Sequence, residues 1–168
     1  MKKLITCCLL LMLTVLTAKA DSPLGQGGKQ LNFGLGFANY GIPVTGSFQY
    51  GVHRDMSVEA ELSWANRNVK YNKDKYYRRN TFGIVGRFNY HFNTILNIPS
   101  NFDLYAGANV GFRIVNYPYD YYGNRTSGLG LGLQVGGRYY FNDQFGINLE
   151  FAGGRAVTAG KIGISIRF

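Results

Sequence analysis

Between Leu31 and Phe168 apolar residues return at every second position through eight separate runs, and this strict period of two commits the chain to β-strands with two unlike faces. The first run sets Leu31, Phe33, Leu35 and Phe37 against Asn32, Gly34 and Gly36. The second sets Ile42, Val44, Phe48 and Tyr50 against Thr45, Ser47 and Gln49, with Pro43 near the strand start, where a missing donor is tolerated. The third carries Met56, Val58, Ala60, Leu62 and Trp64 opposite Ser57, Glu59, Glu61 and Ser63, and the fourth Phe82, Ile84, Phe88, Tyr90 and Phe92 opposite Arg87, Asn89 and His91. In the fifth, Leu104, Ala106, Ala108, Val110, Phe112 and Ile114 face away from Tyr105, Asn109 and Arg113. The sixth opposes Leu129, Leu131, Leu133, Val135, Tyr139 and Phe141 to Gln134 and Arg138. The last two are shorter, with Phe145, Ile147, Leu149 and Phe151 against Asn148 and Glu150, then Ile162, Ile164, Ile166 and Phe168 against Lys161, Ser165 and Arg167.

Each run is about as long as the ~9–11 residues that a tilted strand needs to cross a hydrocarbon layer. The fold expected is all-β: a single antiparallel, up-and-down, eight-stranded transmembrane β-barrel occupying 30–168. An even strand number puts both ends of the chain on one side. Short turns are then expected around Gly51 to Asp55, Asn93 to Asn101 and Asn142 to Gln144. Longer outer loops are expected at Tyr40, Asn66 to Asn80, Tyr117 to Arg125 and Gly153 to Gly160. With 23 glycines, 13 tyrosines and 12 phenylalanines, the composition suits strands and turns, and no helical stretch is expected after the first 20 residues.

Alternation does not by itself say which face is outside, because a soluble lipocalin-type barrel also alternates with its apolar side inward. Charge placement decides. The polar phase is mostly Gly, Asn, Ser and Gln, whereas a water-facing wall would be rich in Lys and Glu. Its few charges are of both signs: Glu59, Glu61 and Glu150 with Arg87, Arg113, Arg138, Lys161 and Arg167. Eight strands enclose just enough room for side chains, so these groups are expected to meet in the lumen as a paired network. The expected pairs are Glu59 or Glu61 with Arg87, and Glu150 with Arg138. Rings at both ends of the apolar phase predict the aromatic girdles of a membrane barrel: Tyr50, Tyr90, Phe92, Phe102, Phe141, Phe145 and Phe168 at one, Phe37, Tyr40 and Trp64 at the other.

Ahead of the strands, Lys2 and Lys3 precede an apolar run from Leu4 to Leu16, and Ala18-Lys19-Ala20 follows it. This reads as a cleavable export signal over 1–20, too short in its apolar part for a membrane helix, followed by a short periplasmic segment at 21–29. Cleavage removes three lysines and takes the formal charge from +9 to +6. It also removes Cys7 and Cys8, the only cysteines, and with them disulfides, thiol chemistry and cysteine-ligated metals. Both precede most of the apolar run, which argues against a lipid anchor. An exported chain makes nucleic acid an improbable partner for the basic charge; acidic lipid and lipopolysaccharide phosphate fit it better.

The final run, Lys161-Ile-Gly-Ile-Ser-Ile-Arg-Phe168, alternates to a terminal phenylalanine, and it resembles the C-terminal strand signal of bacterial outer-membrane proteins. The resemblance implies that Ile162, Ile164, Ile166 and Phe168 are read by the barrel-assembly machinery. From Leu31 to Phe168 the chain is similar in architecture to the small outer-membrane barrels that include outer-membrane proteins A, X and W and the opacity-type proteins. That resemblance implies an integral, porin-like protein of a Gram-negative outer membrane, monomeric and exposed at the cell surface.

Chemistry is sparse. His53 and His91 are the only histidines, neither has the His-x-Ser spacing of lipid A deacylases, and neither has a carboxylate at metal-ligand spacing. No cofactor is expected. Gly34, Gly36, Gly128, Gly130 and Gly132 alternate within strands with no helix following, which reads as lumen positions with little room rather than a phosphate loop. The candidate binding surface is in the outer loops: Arg67, Lys70, Tyr71, Lys73, Lys75, Tyr76, Tyr77, Arg78 and Arg79 in one, and Tyr117, Tyr119, Tyr121 and Tyr122 in another. Tyrosine with arginine favours recognition, here of lipopolysaccharide phosphates or of a host or surface ligand. A structural, surface-interaction or adhesion role is thus expected ahead of a conduit for small or hydrophobic solutes, and well ahead of a lipid A-modifying enzyme.

Overall fold

The computed structural model describes residues 22–72, 75–116, 127–154 and 158–168, and shows eight antiparallel strands closed into a barrel. The strands are β1 (Lys29–Phe37), β2 (Val44–His53), β3 (Met56–Asn72), β4 (Lys75–His91), β5 (Phe102–Asn116), β6 (Gly128–Tyr140), β7 (Phe145–Gly154) and β8 (Gly160–Arg167). Each pairs with its sequence neighbour, and β1 closes on β8 through register pairs from Gln30↔Arg167 to Phe37↔Gly160. No free sheet edge remains, which is the condition for strands to lie in hydrocarbon. The stagger accumulated through the pairings is about ten residues, a shear that fixes a strand tilt of roughly 35–45°.

Burial is inverted relative to a water-soluble protein. Along β3, Ser57, Glu59, Glu61 and Ser63 are buried while Val58, Leu62 and Trp64 are exposed. On β6, Leu131 is 73% exposed, whereas Gln134, in the opposite phase, is only 4% exposed. Polar residues make the core and aliphatic ones the outer surface, so the apolar phase faces outward, as in a membrane barrel and unlike a lipocalin. On β3 and β4 the apolar band runs from the pair Met56↔Tyr90 to the pair Trp64↔Phe82.

Beyond that band the structure departs from the expected loop at Asn66 to Asn80. β3 and β4 continue as a paired ribbon, through Asn66↔Asn80 and Asn68↔Arg78, to Asn72↔Lys75. The outward positions turn polar where the band ends, and Asn66 donates to Asn80 at 2.7 Å. A hydrophobic pattern marks only the part of a strand that touches lipid; the backbone ladder runs on without it.

The opposite end is tighter. His53 and Met56 nearly close the β2–β3 turn, and Asn142 Oδ1 accepts the Gln144 and Phe145 amides at 2.9 and 2.8 Å. The expected turn at Asn93 to Asn101 instead contains a single helical turn, α1 (Asn93–Leu96). It ends on Asn97 in the left-handed conformation, φ 52°, which asparagine tolerates better than most residues. One turn is too short to leave a helical period in the sequence. Residues 22–28 fold under this same end, where the Gly27 amide donates to the Gly51 carbonyl at 2.8 Å.

Candidate functional site: an ion-paired lumen and a basic rim

The inward phase of all eight strands converges on a filled lumen. At mid-height Arg87 of β4 donates to Glu61 of β3 at 2.8 Å and to Glu150 of β7 across the barrel. Lys161 of β8 lies 2.5 Å from Glu61, 3.5 Å from Glu150 and 3.8 Å from Glu59. Two cations therefore serve three carboxylates. The remaining lone pairs are satisfied by neutral donors: Ser47 to Glu59 at 2.5 Å, Asn89 to Glu59 at 3.3 Å and the Tyr105 hydroxyl to Glu150 at 2.8 Å. Charges taken from water need such complete pairing to be tolerated.

A second layer lies toward the tight turns. Arg138 donates to Asp103 at 2.6 Å and to Gln49 at 2.8 Å, and it stacks on the Tyr105 ring with its guanidinium carbon 4.0 Å from the centroid. The expected pair Glu150 with Arg138 does not form. Asp103, two residues before Tyr105 and in the same phase, takes one arm of the Arg138 guanidinium instead, since the two residues are direct register partners. Asp103 is the lumen acid that sequence reading passed over; its parity with Tyr105 was the available signal.

Asp103 also holds His91, with Oδ1 and Nδ1 2.7 Å apart, and His91 Nε2 lies 2.8 Å from Ser57 Oγ. Ser, His and Asp in this order look like a hydrolytic triad. Its surroundings are those of a packed interior: Ser57 is fully buried, and its Oγ also accepts the Gln49 side-chain amide at 2.6 Å. It is one link in a polar chain that runs through Gln49 and Gln30 to the Tyr140 hydroxyl.

The remaining predicted lumen cations stand apart. Arg167 lies toward the tight-turn end, its guanidinium 3.8 Å over the Tyr140 ring and donating to the Pro23 carbonyl at 2.5 Å. Arg113 is at the opposite end, 5.1 Å over the ring of Tyr40. Tyr40 is 7% exposed, so it leaves the expected girdle and caps the ion cluster instead, the short β1–β2 connection turning its ring inward. The other rings do flank the apolar band. Phe102 and Phe141 both pack on Tyr139 at the tight-turn end, while Phe37 and Trp64 are exposed at the other.

Crowding explains part of the glycine pattern. A Cβ at Gly34, Gly36 or Gly132 would collide with the neighbouring strand or with Thr158, whereas Gly128 has open space around it. Ile162, Ile164 and Phe168 are exposed on the outer face of β8, with Ile166 partly so. Of the predicted binding surface, Arg78 is exposed and Arg79 half-buried on opposite faces of β4. The side chains of Lys70, Tyr71, Lys75, Tyr76 and Tyr77, and all of Lys73, Tyr117, Tyr119, Tyr121 and Tyr122, lie outside the described residues, as does the export signal at 1–20. Among the described residues no cluster of His, Cys, Asp or Glu could hold a metal ion.

Charge is distributed by level. In the long-strand end and its connecting sequence are Arg67, Lys70, Lys73, Lys75, Arg78, Arg79, Arg113, Arg125 and Arg155 against Asp74 and Asp120, a formal +7. The lumen sets Arg87, Arg138 and Lys161 against Glu59, Glu61, Asp103 and Glu150, a formal −1. At the tight-turn end and in the sequence leading into it, Lys29, Arg54 and Arg167 balance Asp21, Asp55 and Asp143 in formal charge. By sequence, the excess positive charge of residues 21–168 is thus carried by the strand ends and connecting segments of one rim.

Residues 5–162 match the family model described as outer membrane protein beta-barrel domain. Solved structures give similar folds at low identity. OprG of Pseudomonas aeruginosa is 12% identical at a TM-score of 0.62, with 88% of this chain and 99% of that one covered. The N-terminal β-barrel domain of OprF from the same organism is 18% identical at 0.57, covering 86% and 99%. Neisserial surface protein A is 14% identical at 0.56, covering 84% and 95%. Comparison with curated proteins gave no match.

Proposed function

From the premise that the chain belongs to the outer membrane protein beta-barrel domain family, and is therefore an integral protein of the bacterial outer membrane, we propose that it is a non-enzymatic surface-interaction protein. Its basic rim binds phosphate-bearing amphiphiles of the lipopolysaccharide type or an anionic host surface. The observation that carries this reading is the formal +7 gathered at the long-strand end, beside a nearly neutral lumen and a neutral opposite end.

Such a concentration of one sign creates a field that attracts anions before contact and binds them in a salt-dependent way. The long-strand end faces outward and both termini face the periplasm, because short turns belong on the periplasmic side of this class of barrel. The ion-paired lumen supports a surface protein rather than a solute conduit, since eight strands enclose little more room than these side chains fill. The outer face of β8 is the surface that the barrel-assembly machinery would read before the strand closes on β1.

The test is binding of the protein in neutral nanodiscs to lipopolysaccharide micelles across a salt series. Replacing Lys70, Lys73, Lys75 and Arg78 with Gln should weaken binding by about tenfold or more and flatten its salt dependence. Unchanged affinity, or stable current steps in planar bilayers, would count against this reading.

A further inference from the structure

Above the ion cluster, on the inner face of β3, β4 and β5, three more arginines occur without the carboxylates that Arg87, Arg138 and Lys161 have. Arg67 stands directly opposite Arg79 in the β3–β4 register, and Arg113 of β5 stands opposite Gly83 of β4, two positions beyond Thr81. Like charges placed directly opposite each other destabilise a strand pair unless something neutralises them. Among the described residues no Asp or Glu lies within ion-pair distance of any of the three, whereas Arg87, Arg138 and Lys161 each meet at least one.

Arg67 is partly engaged, donating to the Asn39 carbonyl at 2.7 Å, and Arg113 leans on Tyr40. The Nε atoms of Arg79 and Arg113 are buried with no hydrogen-bond partner, as are those of Arg87, Arg138 and Arg167, so what sets this place apart is two guanidiniums without a carboxylate beside a partnerless hydroxyl. Between these two residues Thr81 is 2% exposed, on the inward phase, and its hydroxyl also has no partner. Buried donors normally find acceptors, and these donors beside excess positive charge are of the kind an oxyanion satisfies. Buried Tyr40 packs against Arg113, and the Glu61–Arg87 pair lies further toward the membrane centre.

We propose that Arg79, Arg113 and Thr81 form an oxyanion site inside the outer rim, taking a phosphate group that bridges the two guanidiniums and accepts the Thr81 hydroxyl. It is separate from the outward-facing cations, and a free phosphate or a lipid headgroup would supply the same chemistry.

The test uses the full mature chain, folded in neutral detergent, titrated with inorganic phosphate and followed by amide chemical shifts and calorimetry. A second arm places it in phosphatidylcholine nanodiscs with and without phosphatidylglycerol. Saturable binding is expected in at least one arm: the phosphate arm would identify a free ion as ligand, the lipid arm alone a headgroup. Arg79→Gln and Arg113→Gln should each weaken it by about tenfold, the effect of losing a charge-assisted hydrogen bond. Thr81→Val should weaken it by severalfold, and Lys29→Gln, at the tight-turn end, should leave it unchanged. If a Gln variant fails to fold, Arg79→Lys, which keeps the charge and loses the fork, should bind at an intermediate level. No binding in either arm, or binding indifferent to Arg79 and Arg113, overturns the site. Binding that appears only in an Asp74→Asn, Asp120→Asn variant would also overturn it, because an internal carboxylate would then be the natural occupant.

Discussion

Arg87 and Glu150 are joined across the lumen although they sit on β4 and β7, strands that share no edge, and this contact ties opposite walls of the barrel together. Both side chains are essentially inaccessible. Arg87 reaches Glu61 as well, so one guanidinium links three strands.

Removing one member of this cluster should therefore cost far more than a surface ion pair. Arg87→Met leaves Glu61 and Glu150 with only Lys161 and should lower unfolding free energy in urea by about 3–5 kcal/mol. The double variant Arg87→Met, Glu61→Leu should recover part of that loss. Equal destabilisation by both would show that the charges do not act as a pair.

Tyr105 fills the space that Gly136 leaves. A Cβ at Gly136 would overlap the tyrosine hydroxyl and ring, and the same hydroxyl donates to Glu150. Gly136→Ala should thus be destabilising, and combining it with Tyr105→Leu should be less harmful than the sum of the two. Tyr105→Phe alone should cost about 1–3 kcal/mol by stranding a carboxylate oxygen. Additive effects in a double-mutant cycle would separate the two sites.

The Ser57–His91–Asp103 array should behave as structure. Ser57→Ala should lower stability by roughly 1–3 kcal/mol, since Gln49 and His91 each lose a partner. No ester hydrolysis should accompany the native protein, and a fluorophosphonate probe should leave Ser57 unlabelled. Stoichiometric labelling at that serine would reopen the enzymatic reading.

Outward positions in the band should reject charge according to depth. Leu131→Arg should destabilise the barrel in lipid by about 2–4 kcal/mol, whereas Asn68→Arg, past the end of the band, should be nearly neutral. Comparable costs at the two positions would be inconsistent with a band that ends at Trp64.

How far the sequence foretold this structure depends on which force was at work. The phase of every strand was legible because lipid contact is a strong, local demand on alternate residues: Leu129, Leu131 and Leu133 leave no other reading. The extension of β3 and β4 was not, since Asn66 and Asn68 pair through backbone bonds that carry no hydrophobic signature. Lumen membership was readable from parity, as it was for Glu61 and Arg87. Partner choice was not, because it depends on register and on which acid is nearest, which is how Asp103 displaced Glu150 at Arg138. Tyr40 shows a third limit: an aromatic beside the band joins the girdle or the lumen according to the turn that carries it.

A lipid-facing belt requires the odd positions of β6 to face acyl chains and the even positions to face a packed polar interior. Spin labels placed singly from Leu129 to Gln134, in lipid bilayers, measure this through collision rates with oxygen and with a polar nickel complex. Oxygen accessibility should peak at 129, 131 and 133 and fall at 130, 132 and 134, with the nickel complex excluded from the odd positions. A reversed phase, or nickel access at the odd positions, would contradict a lipid-facing belt around a closed lumen.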